Sequence, residues 1–390
     1  MAVSLQLNSK PRFEILDGLR GVAAGIVVAF HLFETYSEGP CAQILNHGYL
    51  AVDFFFILSG FVIGYAYDDR WPRISQWNFY LRRLIRLQPM VILGTLIGAF
   101  WYYFGDAPQF GLVMETPWWK VVIIIILGSL MFPTPPSLDI RGWQEINSLN
   151  GAAWSLMWEY VANILYAVFV KRLSKVALTI FVACSAFFTI DICLNLDVFG
   201  LLENRSYAAH TVIGGFGLSP DQIYIGLSRL LYPFFGGLLL YRIGKRITIP
   251  RYGFFVCSLL LAVALVWPHV GGDQPNIGNG IYCAAAILLL FPAIVSTGAG
   301  SPLKGKKEIK LCKFLGALSY PLYITHYPMI YVQMNWAARH PDAPLSTHIW
   351  VAVMIFFASL AVAYASLKVY DLPVRAWLSQ KLLRHTPKAS

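Results

Sequence analysis

The chain has 390 residues, of which 57% are apolar and only 13% charged, and its formal charge is +10. The charged share is about half that of an ordinary globular protein, and one soluble core cannot hide so much apolar surface. The basic excess falls in short loops between apolar stretches, as in the cytosolic loops of membrane proteins, which argues against nucleic acid as the partner.

Eleven apolar stretches follow one another, at roughly 15–36, 48–67, 89–104, 118–132, 151–170, 176–194, 223–241, 253–267, 278–297, 314–334 and 348–369. Most approach the roughly 17–25 residues that a membrane-spanning helix needs. The first carries Asp17, Arg20 and His31, which the apolar part of a signal peptide would not tolerate, so it reads as the first transmembrane helix. Basic clusters punctuate the series at Lys10/Arg12, Arg70 to Arg86, Lys171 to Lys175, Arg242 to Arg251, Lys304 to Lys313 and Lys381 to Lys388. If all of them face the cytosol, an even number of crossings separates each from the next. The interval from Arg86 to Lys171 breaks this rule with three stretches. Stretch 118–132 is short and followed by Pro133, Pro135 and Pro136, so it would be re-entrant; alternatively 151–170, with Glu159 and Asn163, would dip into a polar cavity. The expectation is an all-α, polytopic transmembrane helical bundle of about ten crossings, with both termini cytosolic. It forms one membrane domain over 1–378, with a short basic tail over 379–390. Six cysteines without a CxxC pair read as small buried side chains, and neither a disulfide framework nor a metal site is indicated.

Ionisable groups at bilayer depth are costly and mark cavities or partners. Arg20 and His31 are eleven residues apart, about three helical turns and about 16 Å along one face. An arginine near the cytosolic end would grip an anionic ligand, and the deeper histidine would do proton chemistry. Asp17 and Glu34 lie one turn outside them on nearly the same stripe. Asp53 stands ahead of three phenylalanines and needs a partner, for which Arg20 or His31 on the preceding helix is the expected choice. Arg83 and Arg86 share a helix face and suit phosphate groups, whereas Arg82 reads as a positive-inside anchor. Ser155, Glu159 and Asn163 make one polar stripe, as do Ser319, Tyr323 and His326.

The runs Leu16-Asp-Gly-Leu-Arg-Gly with Arg20 and His31, Gly48 to Phe61, Arg82 to Pro89, Trp154 to Glu159 and Tyr323 to His326 occur in that order. Together they resemble the acyltransferase 3 family of membrane acyltransferases, over nearly the whole chain. A departure is Asp371-Leu-Pro373, where the family often carries Glu before Pro. The resemblance implies transfer of an acyl group, acetyl by default, from acyl-CoA to a hydroxyl of a glycan or natural product in the cell membrane, with no permanently bound cofactor. Within it, His31 is expected as general base with Asp53 and Glu159 in the catalytic cavity. Arg20, Arg83 and Arg86 are expected on the CoA phosphates, and Ser155, Tyr323 and His326 on substrate or oxyanion. The competing reading is a proton-coupled transporter or flippase, against which stands the absence of a detectable internal repeat.

Overall fold

The computed structural model describes residues 10–105 and 110–383. Each of the eleven apolar stretches is helical, and no strand occurs among the described residues. The helices are α1 (Glu14–Glu34), α2 (Ala51–Tyr67), α3 (Gln76–Phe104), α4 (Trp118–Leu130), α5 (Trp154–Val168) and α6 (Lys175–Leu194). They continue with α7 (Pro220–Ile243), α8 (Gly253–Val266), α9 (Ile277–Gly300), α10 (Lys306–Arg339), α11 (Leu345–Ala365) and α12 (Leu372–Leu383). Seven of the helical segments are long and apolar enough to cross a membrane, and α4 and α8 are shorter apolar helices. This is the all-helical polytopic bundle expected.

Helix α3 starts at Gln76, well before the apolar stretch at 89. The Ser75 side chain caps it by accepting the Asn78 N–H at 3.2 Å, so Arg82, Arg83 and Arg86 project from regular helix. Prolines inside helices free a carbonyl four residues earlier, and this fold finds a donor for two of them. Pro292 frees the Leu288 carbonyl, which accepts from the Tyr232 hydroxyl at 2.9 Å, beside the wide turn Ala286–Leu290. Pro328 frees the Ile324 carbonyl, which accepts from Asn150 Nδ2 at 2.7 Å.

The basic loops gather at one end of the bundle. There Lys10 meets Asp69 at 2.6 Å, Arg242 meets Asp68 at 2.7 Å, and Lys171 lies 3.9 Å over the Trp71 ring. At the other end His47 bonds the Trp267 carbonyl at 2.7 Å and His348 the Tyr36 hydroxyl at 3.2 Å. Helix α4 enters from this second end and its Ser129 carbonyl accepts from Gln88. The chain then returns, and the Asp139 carbonyl accepts from Lys120 near the start of α4 at 2.8 Å. Residues 118–139 are therefore a hairpin, the first of the two alternatives for the odd stretch.

Helix α1 packs along α10 and α8, and α2 along α7. In the α2–α7 pair a Cβ at Gly60 would strike the Phe234 carbonyl, and one at Gly237 the Ile57 carbonyl. These two glycines let the backbones touch, and so set Asp53 on α2 against Arg229 on α7.

Candidate functional site

Two cavities lie on either side of the mid-plane of α1. The outer one, about 560 Å³, is lined by His31, Glu34, Trp143, Glu145, Trp154 and Arg229 among others. The inner one, about 90 Å³ and towards the basic end, is lined by Arg20, Arg83, Arg86, Ser155, Glu159 and Tyr320 among apolar residues. Val52 and Tyr323 line both. The three helical turns between Arg20 and His31 thus deliver the arginine to one cavity and the histidine to the other.

His31 Nδ1 lies 2.6 Å from Glu34 Oε2. A carboxylate can only accept, so Nδ1 carries the proton of that bond and Nε2 keeps its lone pair in the neutral ring. The ring stacks on His326 with centroids 5.4 Å apart and meets the edge of Tyr327 at 4.8 Å. His326 is fully buried behind His31. Its Nδ1 donates to the Tyr323 carbonyl at 2.8 Å, and its Nε2 has no hydrogen-bond partner among the described residues. Between the cavities the Tyr323 hydroxyl and Ser155 Oγ are hydrogen-bonded at 2.7 Å.

In the inner cavity Arg83 is ion-paired with Glu159 at 2.5 Å, and Ser59 Oγ donates to the same carboxylate oxygen at 2.8 Å. Asn163 continues the stripe by bonding the Glu159 main-chain carbonyl at 2.7 Å. Arg20 has Asp17 at 3.8 Å. Arg86 has no hydrogen-bond or ion-pair partner among the described residues.

One expected pairing is corrected. Asp53 meets neither Arg20 nor His31; its carboxylate accepts two bonds from Arg229, at 2.7 and 3.3 Å. Both groups are buried, and the same guanidinium donates to the carbonyls of Tyr49 at 2.7 Å and Gly214 at 3.3 Å. The reason is packing: the Gly60 and Gly237 contact presses α2 onto α7, which brings Arg229 to Asp53. Arg229 is the only charged residue in 223–241, and that isolation was the sequence signal for it. Glu145 has no such signal, because it lies in a loop where a glutamate is ordinary. Of the other candidate residues, Ser155, Glu159, Arg20, Arg83 and Arg86 come together in the inner cavity, and Tyr323 stands between the two.

The fold and this constellation define a polytopic helical membrane protein in which a histidine–carboxylate pair and an arginine cluster face each other across a thin polar partition. The family model for the acyltransferase domain matches residues 13–368, and the chain belongs to the acyltransferase 3 family. It is 33% identical over 182 residues to "Protein 2 in picA locus" of Rhizobium radiobacter, an alignment covering 45% of this chain and 91% of that protein. It is 23% identical to the peptidoglycan O-acetyltransferase OatA of Listeria monocytogenes, over 92% of this chain and 55% of that protein. For the O-acetyltransferase OatA of Staphylococcus aureus the identity is 24%, over 92% of this chain and 57% of that protein. The chain thus spans little more than half the length of the two full-length OatA matches. No solved structure matches the chain.

Proposed function

We propose that the chain is an O-acyltransferase that moves an acyl group, acetyl by default, from acyl-CoA to a hydroxyl of a carbohydrate acceptor. The observation that carries this reading is the His31–Glu34 pair facing the outer cavity while unpaired Arg86 faces the inner one, with Val52 and the hydrogen-bonded Tyr323 and Ser155 between. The basic end is the cytosolic one by the distribution of Lys and Arg, so the donor enters at the arginines and the acceptor meets His31 from the opposite side. The protein then lies in the cell membrane with both termini cytosolic.

In this mechanism the acceptor hydroxyl gives its proton to His31 Nε2 as its oxygen attacks the thioester carbonyl. Glu34 holds the ring in the required tautomer and favours the imidazolium that forms. The Tyr323 hydroxyl, 2.7 Å from Ser155, is placed to turn towards the oxyanion of the tetrahedral intermediate. His326, with Nδ1 donating to the Tyr323 carbonyl and a lone pair at Nε2, supports His31 by ring stacking rather than donating to an oxyanion. The carbon–sulfur bond then breaks, and the CoA thiolate leaves with the proton from His31. Asp53 serves by holding Arg229 against the outer cavity, and Glu159 by holding Arg83 beside the donor. Arg20 and Arg86 meet the donor's phosphates, with Arg83 flanking them. A proton-coupled transporter would also place charges between two cavities; the family match separates the two readings.

The test uses purified protein in lipid nanodiscs with radiolabelled acetyl-CoA and a glycan acceptor. Wild type is expected to transfer label, and His31→Ala to fall to background while still binding acetyl-CoA. Normal turnover by His31→Ala removes the base from His31, and failure of wild type to bind any acyl-CoA removes the donor.

A further inference from the structure

A third cavity, about 410 Å³, opens at the basic end between α3 and α12, and Arg82, Arg86 and Arg375 line it together with Tyr67 and Ser379. Helix geometry sorts the arginines of α3. Arg82 and Arg86 are four residues apart and share a face, whereas Arg83 is turned about 100° away from Arg82 and is spent on Glu159. Neither Arg82 nor Arg86 has a hydrogen-bond or ion-pair partner among the described residues, and Arg82 Nε is buried without one. Arg375 bonds Asp371 at 3.0 Å. Three guanidinium groups therefore line one cavity, and among the described residues only Arg375 is bonded to a carboxylate, an arrangement that repels itself unless an anion joins it. Guanidinium forks match phosphate oxygens in pairs.

Arg86 lines this cavity and the inner one alike, so the two adjoin. The inner cavity, about 90 Å³, takes a slender arm and not a nucleotide, whereas the third has room for one. We propose that the α3–α12 cavity binds the nucleotide end of the donor, with Arg82 and Arg375 on its 3′-phosphate and Arg86 on its pyrophosphate. This rests on the acyl-CoA reading and deepens it. It takes Arg82 from the role of membrane anchor into the ligand site, and it gives Arg375 on α12 a function.

The same phosphate chemistry would suit an anionic lipid headgroup, and the experiment separates the two. Full-length protein in phosphatidylcholine nanodiscs is titrated with CoA and with 3′-dephospho-CoA, for wild type, Arg82→Gln and Arg375→Gln. One charge-assisted bond is worth about tenfold in affinity. Wild type is expected to prefer CoA by at least about that factor, and each variant to lose the preference while binding dephospho-CoA as wild type does. Arg82→Gln breaks no bond within the fold, so it stays decisive where Arg375→Gln disturbs Asp371. Preference retained in both variants, or equal weakening of both ligands, overturns the proposal. Retention of phosphatidylglycerol by wild type alone, with the CoA preference intact in the variants, assigns the cavity to lipid and overturns it as well. Wild type that binds neither CoA nor dephospho-CoA overturns the donor reading itself, and this inference with it.

Discussion

Glu145 sits where a carboxylate is least comfortable as an anion. It lines the outer cavity with His31 and Glu34, its Oε2 has no hydrogen-bond partner among the described residues, and burial pushes its carboxyl up to about 7. The nearby Arg141 opposes that shift, and Glu34 and Asp139 add to it. Arg141 is itself held elsewhere, 3.6 Å over the Tyr331 ring and bonded to the Ser148 carbonyl at 2.5 Å. A carboxyl raised above its ordinary value of 4.5 contributes stability that is complete below that value and is lost as pH rises through about 7. Glu145→Gln is permanently neutral, so its melting temperature is expected to fall less than that of wild type between about pH 4.5 and 7.5. The difference grows by at most about 1.4 kcal/mol per pH unit between pH 4.5 and about 7 and levels off above. Parallel melting curves at every pH would show that Glu145 does not titrate there. Residues of this kind are hard to read from sequence, because a loop glutamate shows no cost until the fold buries it. His31 and Glu34 were legible, since both lie on one helix and three residues fix their proximity. Arg229 was missed although it is an isolated charge in an apolar stretch, and its partner depends on which helices touch, which no local pattern carries.

At the scale of the helix, the prolines of α10 show what the sequence reveals and what it hides. Pro321 and Pro328 announce that backbone carbonyls are freed at Ala317 and Ile324. That Asn150, from the chain leading into α5, supplies the donor for Ile324 follows only from the close approach of that segment to Gly94 and Gly98 on α3. In a dry interior an unpaired carbonyl costs about 1–3 kcal/mol, and Asn150→Leu is expected to lower stability by that amount. The cause can be isolated with a second substitution. Pro328→Ala restores an N–H that bonds the Ile324 carbonyl within α10, so Asn150→Leu should cost about 1 kcal/mol less on that background. Additive losses in thermal unfolding of the double variant would assign the effect of Asn150 to packing instead.

The whole molecule resolves the one interval in which the count of basic loops did not come out even. Thirteen residues of α4 reach only about 20 Å, short of a hydrocarbon core of about 30 Å. The helix needs a way back, which Met131 supplies by turning left-handed at φ 62°, and the proline-rich segment follows with Pro135 extended and a 3-10 turn over Pro136–Leu138. Gln88 donating to the Ser129 carbonyl and Arg141 stacking on Tyr331 hold this hairpin at both ends. The expected consequence is topological. With Cys41 and Cys184 replaced by serine, Glu115→Cys before α4 and Ser137→Cys after it should both react with a membrane-impermeant maleimide added to intact cells. Arg73→Cys, exposed at the basic end, should react only after permeabilisation. If Ser137→Cys behaves like Arg73→Cys, α4 crosses the membrane, and α5 becomes the segment that dips. His31 and Arg86 would keep their places on α1 and α3, but the loop bearing Glu145 would have to leave the outer cavity, so the same labelling also tests whether that cavity is built from the 131–150 segment.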